Sequence, residues 1–418
     1  MSTRLGTISS AFSAPRFVKL IAALGVAFTA ACVRDTAETP ATIDAFKAST
    51  EERLQEIVAT DDTLPGASLR IIAPTLGLDW TAQAGLIEDG ETPFTANHPL
   101  RISSVTKTFV AAAIMRLYED GKIDLDAGIS NYLKAEHTGI IRDSGHYNPD
   151  EITVRHLLTH TSGIIDFFFT EEYEAYEEKL ANGELKPSKP VFEDQLGIAM
   201  RAGPPDLKPG ERNSYTDTGY ILLGAILEEQ TGVSMAQAMR TLNGLDTLDL
   251  NSTWWAIFEE KPADALALPE QYFGELRASE WDTPTDDLYG GGGMIASSSD
   301  LAAFIYALFN GEVFKDDTTL DVMTSQFPVT DKLVENDSGS VYASHGLGKY
   351  PIGDSIAYGH GGWWGAVMAY APEANIAIAA NWLQQDHGEK GHKMAKEILG
   401  ELIALQSRLT SESAATTQ

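Results

Sequence analysis

The two ends of the chain carry matching patterns of apolar positions, and each pattern predicts one helix and two strands. At the N-terminal end these are an amphipathic helix that starts at Ile43 and strands at Ala67–Ala73 and Leu78–Ala84. At the C-terminal end they are strands at Trp364–Ala371 and Ile376–Trp382 and a helix at about Glu389–Leu405. The order is therefore helix-strand-strand at the start and strand-strand-helix at the end.

This order allows both ends to share one antiparallel sheet, with the intervening chain inserted as a helical lobe. The helical region is expected at about 125–285, which is loop-rich and acidic. The sequence therefore predicts an α/β (α+β) fold, in which an antiparallel sheet is flanked by helices. We expect one domain over 43–405, a flexible polar tail over 406–418, and a cleft where the sheet meets the helical lobe.

Residues 1–32 are predicted to be a signal peptide of the lipoprotein type. The apolar run Phe17–Ala31 follows Arg16 and is too short to span a bilayer, which takes roughly 20 residues. Small residues precede Cys32, the only cysteine, in an arrangement that resembles a bacterial lipoprotein box. We expect export, lipidation of Cys32 and a tether over 33–42 at the periplasmic face of a membrane. The alternative is ordinary cleavage nearby, which leaves a soluble periplasmic protein.

The 418 residues include 30 basic and 60 acidic ones, so the formal net charge is −30. Such a surface repels nucleic acid and anionic lipid at long range, so we expect no nucleic-acid partner. A single cysteine allows no internal disulfide.

Candidate chemistry begins with Ser104-Val105-Thr106-Lys107, at the start of a helix predicted over 104–120. Residues three apart lie on one helix face, so the hydroxyl and the amine can meet. A serine hydroxyl needs such a partner to become a nucleophile, and a helix N-terminus helps to hold an oxyanion. The pattern alone is weak, because an N-cap serine beside a solvated lysine would look the same.

Two further segments add to it. Tyr215 lies in a loop before an apolar helix, where a tyrosine beside a lysine can shuttle protons. His360-Gly361-Gly362 precedes the terminal hairpin, where glycines allow a substrate backbone to approach a strand edge. Each also has an ordinary structural explanation, as a core tyrosine, a turn histidine or loop glycines.

Taken together, these segments resemble the serine β-lactamase and penicillin-recognising DD-peptidase family, and in particular its class C-like branch. The segments that carry the resemblance are 101–107 (RISSVTK), 154–163 (VRHLLTHTSG), 215–217 (YTD), 291–297 (GGGMIAS) and 360–362 (HGG). Their order and separation agree with the family pattern over roughly 65–400. The resemblance implies the β-lactamase/transpeptidase-like fold, and it implies no cofactor.

By this resemblance, Ser104 is the acylated nucleophile and Lys107 activates it. Tyr215 relays protons, and His360 stands where a lysine helps to bind a carboxylate. The oxyanion hole consists of the backbone N–H groups of Ser104 and Trp363. Asp217, Gly361, Gly362 and Trp363 are the expected substrate-binding residues.

Two departures bear on the substrate. Asp217 replaces an asparagine and, when ionised, disfavours a substrate carboxylate or binds an amine. His360 in place of lysine removes a permanent cation. We therefore expect a serine hydrolase of D-alanyl peptides (DD-carboxypeptidase-like) or of small esters, with a class C-like β-lactamase as the alternative. The aromatic residues Trp363, Trp364 and Phe167–Phe169 could line an apolar acyl pocket or simply pack in the core.

Other functions fit less well. His156 and His160 have the spacing of a zinc-protease helix, but Leu157 stands where the catalytic glutamate belongs, so no metal is expected. The run Gly291–Gly293 lacks the lysine of a phosphate loop. A non-hydrolytic cell-wall binding or sensor protein stays open as an alternative of another class, and the loss of Ser104, Lys107 or Tyr215 would favour it.

Overall fold

A computed structural model describes residues 40–181, 184, 192–205, 207–280, 289–328, 344–385 and 388–416. The predicted signal peptide, Cys32 and residues 33–39 of the tether lie outside these ranges. Within them, no helix combines the length and the apolar character that crossing a membrane requires.

The described helices are α1 Ile43–Thr60, α2 Thr106–Glu119, α3 Ala135–Asp143, α4 Val154–Leu158, α5 Glu171–Ala181, α6 Phe192–Arg201, α7 Asp217–Thr231, α8 Met235–Leu242, α9 Ser298–Phe309, α10 Asp317–Thr324 and α11 Gly388–Thr416. The described strands are β1 Gly66–Ala73, β2 Leu78–Gly85, β3 Pro99–Arg101, β4 Trp254–Trp255, β5 Tyr272–Phe273, β6 Leu276–Arg277, β7 Met294–Ser297, β8 Gly348–Ile352, β9 Ser355–Gly361, β10 Ala366–Ala371 and β11 Ile376–Trp382.

The main sheet is antiparallel and six-stranded, in the order β2-β1-β11-β10-β9-β8. The two chain ends meet where β1 pairs with β11, from Ala67 opposite Trp382 to Ile72 opposite Ala377. The predicted sharing of one sheet by both ends, and with it the fold class, is confirmed.

Both faces of the central strands are covered, which explains why every residue of β11 is buried. On one face α1 and α11 contribute Phe46, Leu399 and Leu402 to an apolar core with the sheet. On the other face α9 packs on β1, β10 and β11, and the larger core continues into the helical lobe. Because neither face of β11 meets water, its sequence lacks the apolar–polar alternation of a half-exposed strand.

The inserted lobe was predicted as helical over about 125–285, and α3 to α8 occupy it from 135 to 242. The chain from 246 to 280 is instead irregular and carries β4, β5 and β6, each of two residues. A three-stranded sheet, β3-β7-β4, was also not predicted. Strands of two to four residues are too short to show a hydrophobic period.

The tail expected over 406–418 is helical in the structure as far as Thr416, because α11 continues to that residue. Leu409 packs against the core beneath the sheet, and the Gln406 side chain donates to the Ala374 carbonyl at 3.0 Å. These contacts hold a polar sequence in helical form. Strands β8 and β9 were also missed, and His360 lies within β9.

The nucleophile segment connects β3 to α2 through a short 3-10 turn, Ser103–Val105. Helix α2 is buried from Thr106 to Met115 and ends before Gly121, whose φ of 68° permits the predicted left-handed termination. The N-terminal turn of a helix inside the core therefore presents Ser104 and Lys107 to the edge of the sheet.

Candidate active site

Ser104 lies in a strained turn. The preceding residue, Ser103, has a φ of 45°, which is uncommon for a residue other than glycine. The Val105 N–H donates to the Ile102 carbonyl at 3.1 Å and closes the turn. Strained backbone of this kind persists where surrounding structure holds it, and it concentrates at functional sites. Ser104 itself is half-buried at the surface of this turn.

Lys107 is fully buried, and its ammonium group has three oxygen acceptors. Nζ lies 3.1 Å from Ser104 Oγ, 2.5 Å from Asp217 Oδ1 and 2.5 Å from the Gly291 carbonyl oxygen. The predicted meeting of serine and lysine is thus present in the structure. Asp217, expected to face the substrate, forms an ion pair with Lys107.

Tyr215 is held beside this group by His160. The rings of His160 and Tyr215 stack with centroids 4.2 Å apart. The ring of Tyr220 also stacks on His160, with centroids 4.9 Å apart. The Thr216 N–H donates to His160 Nδ1, and the His160 carbonyl accepts from the Ser214 N–H. His160 therefore fixes the backbone on both sides of Tyr215.

His160 must be neutral to do this. Because a backbone N–H can only donate, Nδ1 of His160 carries no proton. Burial, and next the positive charge of Lys107, hold the pKa of His160 well below its usual range. His160 also has a φ of 54°, a second non-glycine residue with positive φ at this site. The Lys107 Nζ lies 4.9 Å from the centroid of the Tyr215 ring.

Asp166 was missed by the sequence analysis. Its carboxylate accepts from the Asp217 N–H at 3.0 Å and from the Phe168 N–H at 3.2 Å. Burial, and next the negative charge of Asp217, raise the pKa of Asp166. An acidic residue that follows an apolar Ile-Ile pair is the only sequence signal for it, and that signal has no fixed spacing to the other site residues.

His360 lies in β9, buried, with its ring centroid 6.3 Å from that of Tyr215. Nδ1 lies 2.7 Å from the Gly361 carbonyl oxygen, which can only accept, so Nδ1 carries the proton. Burial, and next the charge of Lys107, lower the pKa of His360 to about 3. The imidazole is therefore neutral at physiological pH, unlike the lysine that the family resemblance leads one to expect.

The two glycines after His360 allow close packing. A Cβ on Gly362 would lie 2.1 Å from the Ile102 carbonyl oxygen, and one on Gly361 would lie 2.3 Å from the His392 ring. The strand end that carries His360 thus presses directly on the nucleophile turn. The Trp364 N–H also donates to Ser103 Oγ at 3.4 Å.

The aromatic residues divide between site and core. Trp363 and Trp364 are half-buried, and Trp363 contacts Phe273 with ring centroids 5.4 Å apart. Phe167 is fully buried and packs in the core, whereas Phe169 is 59% exposed. Phe167 therefore follows the core-packing alternative, and Phe167–Phe169 do not form one surface.

The two histidines of the zinc-like spacing have separate partners. His156 Nδ1 accepts from the Thr153 N–H, whereas His160 binds Thr216. Elsewhere among the described residues, ligand atoms of Glu136, His137 and Glu193 lie within 4.8 Å of one another. The contact of His137 Nε2 with Glu193 Oε1 at 3.4 Å accounts for that group as an ordinary histidine–carboxylate interaction.

This arrangement suits acyl transfer to a serine. A hydroxyl on a strained turn is hydrogen-bonded to a buried lysine. The lysine Nζ lies 4.9 Å from the Tyr215 ring, which lies 6.3 Å from the ring of the neutral His360. These groups can hold, accept and return a proton at a reacting carbonyl without a metal ligand.

Comparison with known proteins identifies the family. A family model described as Beta-lactamase matches residues 55–401, which is most of the chain. A protein named as penicillin-binding protein PbpX from Bacillus subtilis (strain 168) is 24% identical over 259 residues, covering 61% of this chain and 58% of PbpX. Esterase EstB from Burkholderia gladioli is 28% identical over 150 residues, covering 36% of this chain and 37% of EstB. The chain thus spans about half the length of the curated relatives it matches.

Among solved structures, D-amino acid amidase from Ochrobactrum anthropi SV3 superposes with a TM-score of 0.68. It is 22% identical, and the match covers 86% of this chain and 99% of the amidase. At this identity the similarity establishes a shared fold. With the family model matched over 55–401, the conclusion is that this chain belongs to the beta-lactamase family of serine hydrolases.

Proposed function

We propose that this protein hydrolyses small esters and amides through an acyl-enzyme on Ser104, and that its preferred acyl donors carry no carboxylate. The observation that carries the mechanism is the contact of Lys107 Nζ with Ser104 Oγ at 3.1 Å inside a buried cluster. The observation that carries the substrate preference is the neutral His360 at the position of the family's cationic residue.

In this mechanism Ser104 Oγ attacks the substrate carbonyl carbon, and its proton passes to Tyr215, which reacts in its phenolate form. The Lys107 ammonium keeps its own protons and hydrogen-bonds to Ser104 Oγ. The tetrahedral oxyanion accepts hydrogen bonds from the backbone N–H groups of Ser104 and Trp363. Tyr215 then delivers the proton to the leaving alcohol or amine, and the C–O or C–N bond breaks. Water attacks the acyl-enzyme by the same route in reverse, releasing the acid and restoring Ser104.

Charge at the site supports the preference. Lys107 is already engaged by the carboxylate of Asp217, and His360 is neutral, so neither position offers a cation to a substrate carboxylate. The half-buried Trp363 and Phe273 favour an apolar or aromatic group beside the carbonyl. The named activities of EstB and of the D-amino acid amidase, an esterase and an amidase, agree with this chemistry.

The relationship to PbpX favours a second candidate, the hydrolysis of D-alanyl peptides in the manner of a DD-carboxypeptidase. Class C-like β-lactam hydrolysis and non-hydrolytic cell-wall binding are further outcomes that the same test separates.

We also propose export with lipidation of Cys32. A Cys32→Ser variant expressed in a bacterial host should lose lipid labelling and move from the membrane fraction to the soluble periplasmic fraction.

The test uses intact-protein mass spectrometry and steady-state kinetics on the purified domain and its Ser104→Ala variant. The panel is nitrophenyl butyrate, D-phenylalanine amide, a D-alanyl-D-alanine thioester mimic and a penicillin. We expect turnover of the ester or the amide with at least tenfold higher kcat/KM than for the two carboxylate-bearing compounds. Ser104→Ala should abolish both turnover and the acyl adduct.

Each other result has a definite meaning. Faster turnover of the D-alanyl mimic, with a long-lived penicillin adduct, would assign a DD-peptidase. Rapid penicillin turnover would assign a β-lactamase. Activity that survives Ser104→Ala would overturn the mechanism, and no adduct with any compound would favour a binding protein.

A further inference from the structure

The two backbone segments that frame the nucleophile are joined by a buried glutamine. Gln271 immediately precedes β5, in the irregular chain between the helical lobe and β7, and its side chain is fully buried. It lies more than 160 residues from Ser104 along the sequence, and no motif marks it.

The side-chain amide of Gln271 has a partner for its oxygen and for its nitrogen. Oε1 accepts from the Arg101 N–H at 2.9 Å. Nε2 donates to the Arg101 carbonyl at 3.3 Å and to the Trp364 carbonyl at 3.2 Å. Because backbone N–H groups only donate and carbonyls only accept, these partners determine the orientation of the amide without ambiguity.

The position of these partners gives the contact its significance. Arg101 ends β3, three residues before Ser104, and Trp364 directly follows Trp363. In the proposed mechanism, Ser104 and Trp363 supply the two N–H groups of the oxyanion hole. One buried amide therefore links the two segments that carry these N–H groups and holds them at a defined distance from each other.

On the basis of the proposed acyl-enzyme mechanism, we infer that Gln271 is a positioning residue that sets the separation of the two oxyanion-hole donors. Gln271 touches no reacting atom and acts through the backbone of Arg101 and Trp364. A separate hydrogen bond joins the same two segments, since the Trp364 N–H donates to Ser103 Oγ. Gln271 and Ser103 therefore bind the carbonyl and the N–H of Trp364, which belong to the two peptide groups on either side of its Cα.

The expected effect follows from transition-state binding. Donors in an oxyanion hole stabilise charge that develops only in the transition state, and removal of one donor costs roughly 100-fold to 1000-fold in kcat. A displaced donor should cost less, so we expect Gln271→Met to lower kcat about 10-fold to 100-fold with KM changed less than threefold.

The chain supplies a matched control in Gln384, which is also buried and also binds backbone. Its Oε1 accepts from the Gly274 N–H at 3.2 Å, and its Nε2 donates to the carbonyls of Thr63 and Gly274 at 3.1 Å. These contacts hold the same β5–β6 hairpin but reach neither half of the oxyanion hole. Gln384→Met should lower the melting temperature by a similar amount and leave kcat within threefold of the parent.

The experiment compares the parent, Gln271→Met, Gln271→Glu and Gln384→Met on the best ester or amide of the panel. The concentration of active sites is measured by labelling with a fluorophosphonate, so that unfolded protein is not counted as enzyme when kcat is calculated. Gln271→Glu keeps the acceptor for the Arg101 N–H but faces two carbonyls without donors when ionised, so it should lose kcat as well. The affinity of a boronic acid, which forms a tetrahedral adduct with the serine, should fall in proportion to kcat.

Several results would overturn the inference. These are an equal loss of kcat in Gln384→Met, a loss confined to KM, and an unchanged boronate affinity despite a lower kcat. Recovery of folded Gln384→Met but neither Gln271 variant would make Gln271 a structural residue. The outcome is distinct from failure of the proposed function, which Ser104→Ala tests on the parent background.

Discussion

At the scale of single residues, the stability of the site depends on how the charge of Lys107 is compensated. Its ammonium is buried and meets Asp217, Gly291 and Ser104. A buried ion pair gives little net stability, because desolvation offsets the attraction, but removal of one partner leaves an uncompensated charge. Asp217 therefore compensates the buried charge of Lys107, and without it the folded state would hold an unpaired cation beside the nucleophile.

We expect Asp217→Ala to lower the free energy of unfolding by roughly 3–5 kcal/mol, the range for breaking a buried pair. Asp217→Asn should cost less, since its amide oxygen still accepts from Lys107. Urea denaturation of the three proteins checks this order. A loss in Asp217→Asn equal to that in Asp217→Ala would show that charge, and not hydrogen bonding, determines the effect.

The second residue-scale prediction concerns His360. His360→Lys places a cation near the strand end, so acylation by a penicillin should accelerate, by about tenfold or more for a charge-assisted hydrogen bond. His360→Gln, which stays neutral, is the control and should leave the preference for substrates without a carboxylate unchanged. The acylation rates of the parent and the two variants are measured by intact-protein mass spectrometry of reactions quenched at successive times. An equal gain in both variants would mean that His360 limits access by its shape.

At the scale of elements, the site depends on the approach of the β9 end to the turn before α2. Gly362 permits this approach, because any Cβ there would lie 2.1 Å from the Ile102 carbonyl. Strand β10 pairs with β9 from Tyr370 opposite Tyr358 to Val367 opposite Gly361. The loop that carries Trp363 is therefore the short connection between two strands of the central sheet, and the sheet determines its position.

We predict that Gly362→Ala displaces this connection and lowers kcat at least 100-fold, the cost of a shift of about 1 Å in a reacting geometry. Gly139→Ala is the matched control. Gly139 lies inside α3 with nothing within 4 Å of a built Cβ, so alanine should stabilise the protein by about 0.5–1 kcal/mol and leave kcat unchanged. Near-parental kcat in Gly362→Ala would show that the loop tolerates the shift.

At the scale of the whole molecule, buried histidines make stability depend on pH. Burial, and next the charge of Arg155, lower the pKa of His345 to about 4, and His360 has a pKa of about 3. The unfolded chain binds these protons near pH 6.5, so stability is full above that pH and is lost as the pH falls towards the folded values. Asp166 acts in the opposite direction, because folding raises its pKa.

His345 gives the clearest test, since its Nε2 accepts a hydrogen bond from Arg155 at 3.0 Å. Protonation of His345 would place its positive charge against that of Arg155. His345→Gln keeps an acceptor for Arg155 but does not titrate. Between pH 6.5 and 4.5 we expect its melting temperature to fall less steeply than that of the parent, by an amount equivalent to at most roughly 3 kcal/mol. Parallel melting curves over this range would contradict the assignment.

The sequence was sufficient to predict four of the six strands of the main sheet, and the serine and lysine at the centre of the site. Both depend on local patterns: apolar periodicity at the two chain ends, and a serine and a lysine three residues apart on one helix face. The spacing of the known motifs was sufficient to predict the family. The helical form of the chain after Leu405 was not predicted, because its polar sequence does not reveal the contacts that Gln406 and Leu409 make with the rest of the fold.

The groups that surround this pair depend on long-range contacts that the local sequence does not reveal. His160 and Asp166 lie in the connection that follows α4, and Gln271 lies just before β5. Their hydrogen-bond partners come from other parts of the chain. The charge state of His360 was equally out of reach, because burial and the neighbouring Lys107 set it, and neither is a property of adjacent residues. Local sequence specifies elements and short-range pairs, whereas long-range packing sets the electrostatics and the spacing on which catalysis depends.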